Sequence, residues 1–180
     1  MDVGLIFLVL GTLLSATTAL TRDRSAILMF ALACATSYAV YWAIEGQMVA
    51  LAITMAAMAG TAIQLFTPQR LLASTFIPRL GSALVIAAIG FALTYKGYAD
   101  LLPLTGFLIA RVGEVCTRGY LIRGGYLVST ALWLAFAHLT GNDMAALCNL
   151  LVLAVQLYAN LRDMPSLAGL RLATIQRVAQ

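Results

Sequence analysis

The chain has 180 residues, of which 62% are hydrophobic and 10% charged, with 11 Lys and Arg against 7 Asp and Glu and a net charge of +4. A domain dissolved in water carries about 25% charged residues, so this composition excludes a soluble globular protein and makes lipid the solvent. The cationic excess is modest and suits a membrane face attracted to anionic lipid, so no nucleic-acid partner is implied.

A helix needs about 20 mostly apolar residues to cross about 30 Å of hydrocarbon. Seven stretches approach this, at 3–20, 26–44, 48–66, 81–95, 101–116, 122–139 and 144–161. All are continuously apolar and rich in Leu and Ala, without the alternation of barrel strands, so each is expected to be a spanning helix. The first opens Met-Asp-Val with no cation before Arg22, and is expected to be retained rather than cleaved as a signal peptide. Polar or helix-breaking clusters separate the runs: Arg22-Asp23-Arg24, Glu45-Gly46-Gln47, Thr67-Pro68-Gln69-Arg70, Lys96-Gly97, Arg118-Gly119 and Gly141-Asn142-Asp143.

Threading these runs back and forth gathers Arg22, Arg24, Arg70, Arg79, Arg111, Arg118, Arg123, Arg162, Arg171 and Arg177 on one side and leaves Lys96 alone on the other. The excess of cations on cytoplasmic loops predicts an N-terminus outside and a C-terminus in the cytoplasm, and the alternation favours seven spans over six or eight. The expected units are a first three-helix unit over 1–66, a basic loop and linker helix over 67–98, a second three-helix unit over 99–161 and a cytoplasmic tail over 162–180. That tail is either a short basic helix lying on the membrane surface or a disordered segment. Shifting the chain by 95 residues lays the first unit on the second: Gly11 on Gly106, Tyr38 on Trp133, Gly46 on Gly141, Ala50 on Ala145 and Thr54 on Asn149. The expected fold is therefore all-α, seven spans in a 3+1+3 arrangement of two parallel units.

Polar groups inside lipid are costly, so each asks for a partner or a role. Asn149 stands within the seventh run, and a ring with an amide fork suits a small polar ligand; such residues also join helices by hydrogen bonds. Arg111 and Glu114 stand three apart on one helix face, either as a latch at a cytoplasmic gate or as an Arg reaching the headgroups with its charge offset. His138, the lone histidine, is either proton-linked or an interfacial residue bonded to a loop carbonyl. Gln64 and Gln156 are expected to serve helix packing, and Trp42, Tyr95, Tyr98 and Tyr158 to form the interfacial aromatic belt. Cys34, Cys116 and Cys148 are read as packing residues. No span carries a mid-membrane Lys for a retinal Schiff base, and Gly-x-Ser-x-Gly, paired buried Asp, zinc-hydrolase, P-loop and dinucleotide motifs are missing, so no catalytic role, cofactor or metal is expected.

Two stretches, TTALTRDRSAILMFALACATSYAVYWAIEGQMVALAITM and LLPLTGFLIARVGEVCTRGYLIRGGYLVSTALWLAFAHLTGNDMAALCNLLVLAVQLYANLR, carry a likeness. They resemble the YgjV-type family of bacterial inner-membrane proteins, and the overall layout is similar to the SWEET and PQ-loop superfamily of small-solute carriers. The Pro-Gln pair that names the latter is not at its expected place: the first run has no proline, Pro103 lies at the opposite end of the fifth, and Pro68-Gln69 follows the third. The resemblance implies a bacterial inner-membrane carrier whose midplane site would be lined by Tyr38, Thr54, Trp133 and Asn149. With no buried acid expected at that site, facilitated diffusion is the implied mode. The alternative is a non-transporting scaffold or subunit of a membrane complex. Small residues in the third run (Ala56, Ala57, Ala59, Gly60) would let two copies pack closely, which leaves a homo-oligomer open.

Overall fold

The computed structural model describes residues 2–71, 74–116 and 118–163. They form seven α-helices: α1 Val3–Leu20, α2 Arg24–Ile44, α3 Met48–Phe66, α4 Phe76–Thr94, α5 Leu101–Val115, α6 Gly119–Leu139 and α7 Asp143–Asp163, with single 3-10 turns at Gln69–Leu71 and Tyr98–Asp100. The tail beyond Asp163 lies outside the described residues, and Arg162, expected in it, belongs to the last turn of α7.

Capping sets where the helices start. Asp2 accepts the Gly4 N–H (3.0 Å) and Asp23 that of Ala26 (2.8 Å), so the Arg22-Asp23-Arg24 cluster contains a helix cap and α2 begins at Arg24 rather than at 26. Asn142 Oδ1 accepts the Ala145 N–H (3.0 Å) and starts α7. The fourth helix begins at Phe76, five residues before the predicted 81, because Pro78 falls in the first turn, where a missing N–H breaks no intrahelical bond. At their C-termini, α2 and α6 turn identically. Gly46 (φ 67°) and Gly141 (φ 72°) take the left-handed conformation that costs glycine nothing. The following N–H groups return to matching carbonyls, Gln47 to Trp42 (3.1 Å) and Asn142 to Ala137 (2.9 Å).

Six helices are long and apolar enough to cross a membrane. The exception is α5, with 15 residues, which at about 1.5 Å rise each reach about 22 Å; the preceding 3-10 turn adds about 6 Å. The expectation of seven ordinary spans is amended accordingly: α5 is a short helix carrying two buried ionisable groups. Its direction still alternates with its neighbours. The ends of α1, α3, α5 and α7 and the starts of α2, α4 and α6 meet at one end, through Arg24 with the Gln64 and Glu114 carbonyls, Arg79 with Gln64, and Arg123 with Asp163 and the Ala19 carbonyl. At the other end Tyr41 of α2 bonds Asn142 ahead of α7.

Within the bundle α1, α2 and α3 pack in order, as do α5, α6 and α7; contacts of α3 with α5 and of α7 with α1 close these six into a ring. α4 packs against α3 and α5. The core is apolar around Leu8, Ile27, Leu28, Ile53 and Phe136, but unlike a soluble protein the outer surface is apolar too and several polar groups are buried. Ile6, Leu13, Met29, Leu93, Leu139, Leu150 and Leu157 are exposed, whereas Thr54, Thr61, Gln64, Arg111, Glu114, Asn149 and Gln156 are buried. Such a surface is stable only where the solvent is hydrocarbon.

Candidate functional site

The ring surrounds a partly open cavity of ≈ 140 Å³ to which α1, α2, α3, α5, α6 and α7 all contribute side chains. Tyr38, Thr54, Trp133 and Asn149 line it, and so do Arg111 and Glu114. His138 does not. It is exposed in the last turn of α6, beside a separate groove formed with Ala131, Ala135, Leu147 and Leu150.

Chemistry differs from one end of the cavity to the other. At the end away from the arginines, Trp42 and Trp133 stack at 5.9 Å and 20°, and Phe136 meets both rings edge-on at 6.3 and 5.8 Å. Tyr41 packs on Trp42 at 4.7 Å, and its hydroxyl donates to Asn142 Oδ1 (2.8 Å). Trp42 is thus a buried core residue (3% exposed) and not part of an aromatic belt, because the inward face of α2 carries it. Tyr95, Tyr98 and Tyr158 are exposed.

Along the walls, Tyr38 lies so close to α1 that a Cβ on Gly11 would come within 3.1 Å of its ring. Its hydroxyl is 3.4 Å from Thr12 Oγ1. Thr54 donates to the Ala50 carbonyl (2.7 Å) and Asn149 Nδ2 to the Ala145 carbonyl (2.9 Å), each four residues back on its own helix. Both side chains therefore have a donor satisfied within the helix. Asn149 Oδ1 accepts no hydrogen bond from the described residues and remains available to a ligand.

Toward the arginine-rich end the wall is ionic. Glu114, fully buried, accepts on Oε1 from Arg111, from Thr61 Oγ1 (3.1 Å) and from the Tyr126 hydroxyl (2.5 Å), which ties α3, α5 and α6 together. Arg111 also donates to Thr61 Oγ1 (2.9 Å) and the Ala57 carbonyl (3.3 Å), with its guanidinium 5.4 Å from the Phe107 ring centre. Arg111 is 3% exposed and turned inward to α3, so it does not reach toward headgroups. The expectation that no buried acid serves the site is also overturned, since Glu114 lines the cavity and its Oε2 is buried without a hydrogen bond. Gln156 Oε1 is in the same condition. Among the described residues no three His, Cys, Asp or Glu side chains gather as a metal site requires.

Thr61, Tyr126 and Gln156 also line the cavity; neither Thr61 nor Tyr126 was singled out from the sequence, and Gln156 was expected only to serve helix packing. Two had a usable signal. Thr61 follows Thr54 by seven residues and Gln156 follows Asn149 by seven, two helical turns that return each to the same face. Tyr126 had none.

No curated protein and no solved structure matches the chain. A family model described as "Imp-YgjV: Bacterial inner membrane protein" matches residues 3–165. With six apolar spans and lipid-facing hydrophobic sides already in view, the chain belongs to the Imp-YgjV family and is a multi-pass protein of the bacterial inner membrane.

Proposed function

We propose that this protein is a SWEET-like carrier of a small polar solute, working by alternating access and without a catalytic step. The observation that carries this reading is the convergence of Tyr38, Thr54, Trp133 and Asn149, from helices far apart in sequence, on one cavity. A scaffold with no transport role has no use for a cavity lined by unpaired polar atoms; its polar side chains would satisfy one another across tight interfaces.

The reading adopts two parallel three-helix units, α1–α3 and α5–α7, with α4 as linker. Three features support it. The pairing of helices in the ring is unchanged when the two units are exchanged, since α3 on α5 becomes α7 on α1. The paired glycine turns at Gly46 and Gly141 lie 95 residues apart, as do the carbonyls that accept their hydrogen bonds. Thr54 and Asn149, and Thr61 and Gln156, occupy the same register in the cavity wall. The arginine-rich end is taken as cytoplasmic, which places the N-terminus outside.

In this account the aromatic layer around Trp42 and Trp133, with the Tyr41–Asn142 bond, is the outer gate, and the Arg111–Glu114–Thr61–Tyr126 cluster is the inner one. An apolar cavity of about 150 Å³ holds a benzene-sized molecule, so the solute is small. Indole faces and the Asn149 carbonyl suit a solute with an apolar face and hydrogen-bond donors. Glu114 in the wall means that uptake is not bound to facilitated diffusion, and a pH gradient imposed on vesicles distinguishes the modes.

A thermal-shift screen of the detergent-purified protein against sugars, polyols, amino acids, nucleosides and small carboxylates tests the proposal. A ligand at about 100 times its Kd adds about 2.7 kcal/mol of stability. Stabilisation by one class, lost in Asn149→Ala and Trp133→Ala, is expected. No response across the panel, with both variants merely less stable, favours the scaffold.

A further inference from the structure

The ring of six helices closes at two seams, α3 on α5 and α7 on α1, and these are the boundaries between the two proposed units. At the arginine-rich end the first seam is tied through Glu114, which accepts from Thr61 of α3, and Arg111, which donates to Thr61 and to the Ala57 carbonyl. The second seam carries a cluster outside the cavity wall. Asp163, the last residue of α7, accepts from Arg22 just past α1 (2.7 Å), from Arg123 of α6 (2.6 Å) and from its neighbour Arg162 (3.1 Å).

These three contacts differ in weight. The Arg22 side chain is 72% exposed and that of Arg162 37%, so each of those pairs contributes little. Arg123 is buried, and the Nη1 that donates to Asp163 also lies 3.5 Å from the Ala19 carbonyl in the last turn of α1. The carboxylate thus fixes a guanidinium against the carbonyl end of α1, where the helix dipole favours a cation. Gly119, the first residue of α6, presses on the same corner: a Cβ there would come within 2.8 Å of the Arg22 carbonyl, closer than packed atoms allow. The end of α1 is therefore clamped between the start of α6 and the end of α7.

This clamp lies directly beneath the cavity. Thr18, next to Ala19, lines the cavity, as do Tyr126, one turn from Arg123, and Gln156, seven residues before Asp163 and so about 10 Å away along α7. When two units rock apart at this end, both seams part together, so both clusters oppose the motion. We infer that the Arg123–Asp163 pair, bearing on the end of α1, is the second half of the inner gate. It holds the α7–α1 seam shut as the Glu114 cluster holds the α3–α5 seam. The inference rests on the carrier reading, and Asp163 serves in it as a positioning residue that never touches the solute.

Cys34, in the wall of the cavity, reports on the gate once Cys116 and Cys148 are replaced by alanine. The full chain in right-side-out and in inside-out vesicles is treated with an impermeant methanethiosulfonate reagent, and the rate of Cys34 labelling is read. Asp163→Asn keeps the size of the side chain and removes its charge, whereas Gly119→Ala forces the same seam apart without altering a charge. Each should speed labelling from the cytoplasmic side about tenfold or more, with the rate from outside unchanged or lower. The second half of the gate is overturned if neither variant changes the cytoplasmic rate while Glu114→Gln raises it, a result that leaves the carrier reading standing. It is also overturned if both variants speed labelling alike from the two sides, the mark of a loosened bundle. A Cys34 that stays unlabelled from both sides in every variant removes the carrier reading and the gate with it.

Discussion

Replacing Glu114 by Leu strands three donors at once. Arg111 keeps Thr61 Oγ1 and the Ala57 carbonyl but loses its only carboxylate, and the Tyr126 hydroxyl loses its acceptor. Removing one partner of a buried ion pair costs about 3–5 kcal/mol, because the other charge stays buried and unpaired. Arg111→Met is gentler on Tyr126 but leaves the Glu114 carboxylate, fully buried, with neutral donors only; a loss of about 3 kcal/mol is expected. The double variant removes both charges and fills the space with apolar volume, which for buried pairs is often neutral or better. It should therefore be more stable than either single variant, which requires a coupling energy of at least about 3 kcal/mol. Equilibrium unfolding of the four proteins in one detergent measures the cycle. Additivity within about 0.5 kcal/mol would refute the claim that this pair holds α3, α5 and α6 together.

Gly141→Ala puts a Cβ where no atom lies within 4 Å, so its cost is conformational alone, about 1–2 kcal/mol for a left-handed residue; Gly46→Ala should cost the same, and thermal unfolding of both checks this. Gly11→Ala forces Tyr38 to move from a 3.1 Å contact, with a loss of about 1–3 kcal/mol and weaker binding of any cavity ligand, read by the same thermal assay. In a background without native cysteines, Lys96→Cys should react with an impermeant maleimide in intact cells and Ser74→Cys only after permeabilisation; the reverse would invert the proposed orientation.

Much of the fold can be read from composition and punctuation. The bounds of α1 and α3 coincide with the predicted runs because a polar or glycine cluster stands at each end. Where prediction slipped, local chemistry took over: Asp23 looked like a loop charge and is a cap, and the fourth helix, expected from 81, starts at Phe76 with Pro78 in its first turn. Tyr38, Thr54, Trp133 and Asn149 were legible only through the resemblance to SWEET-like carriers, and all four line the cavity. Burial was not legible. Trp42 near a helix end suggests an interface, yet which face of α2 points inward depends on its neighbours. Glu114 three residues from Arg111 signals a pair, but only the packing of α3 and α6 shows that Thr61 and Tyr126 complete it. His138 illustrates the converse, a chemically versatile residue that the bundle turns outward.

Cys34 allows alternating exposure to be tested without knowing the solute, because it lines the cavity between the two proposed gates. With Cys116 and Cys148 replaced by alanine, the remaining thiol is challenged with an impermeant, cationic methanethiosulfonate reagent in right-side-out and inside-out vesicles separately. A carrier predicts slow labelling from both sides, accelerated from the outside by Trp133→Ala and from the cytoplasmic side by Glu114→Gln. A thiol that stays unlabelled from both sides, in wild type and in both variants, would contradict the central claim that this cavity opens by turns to the two faces of the membrane.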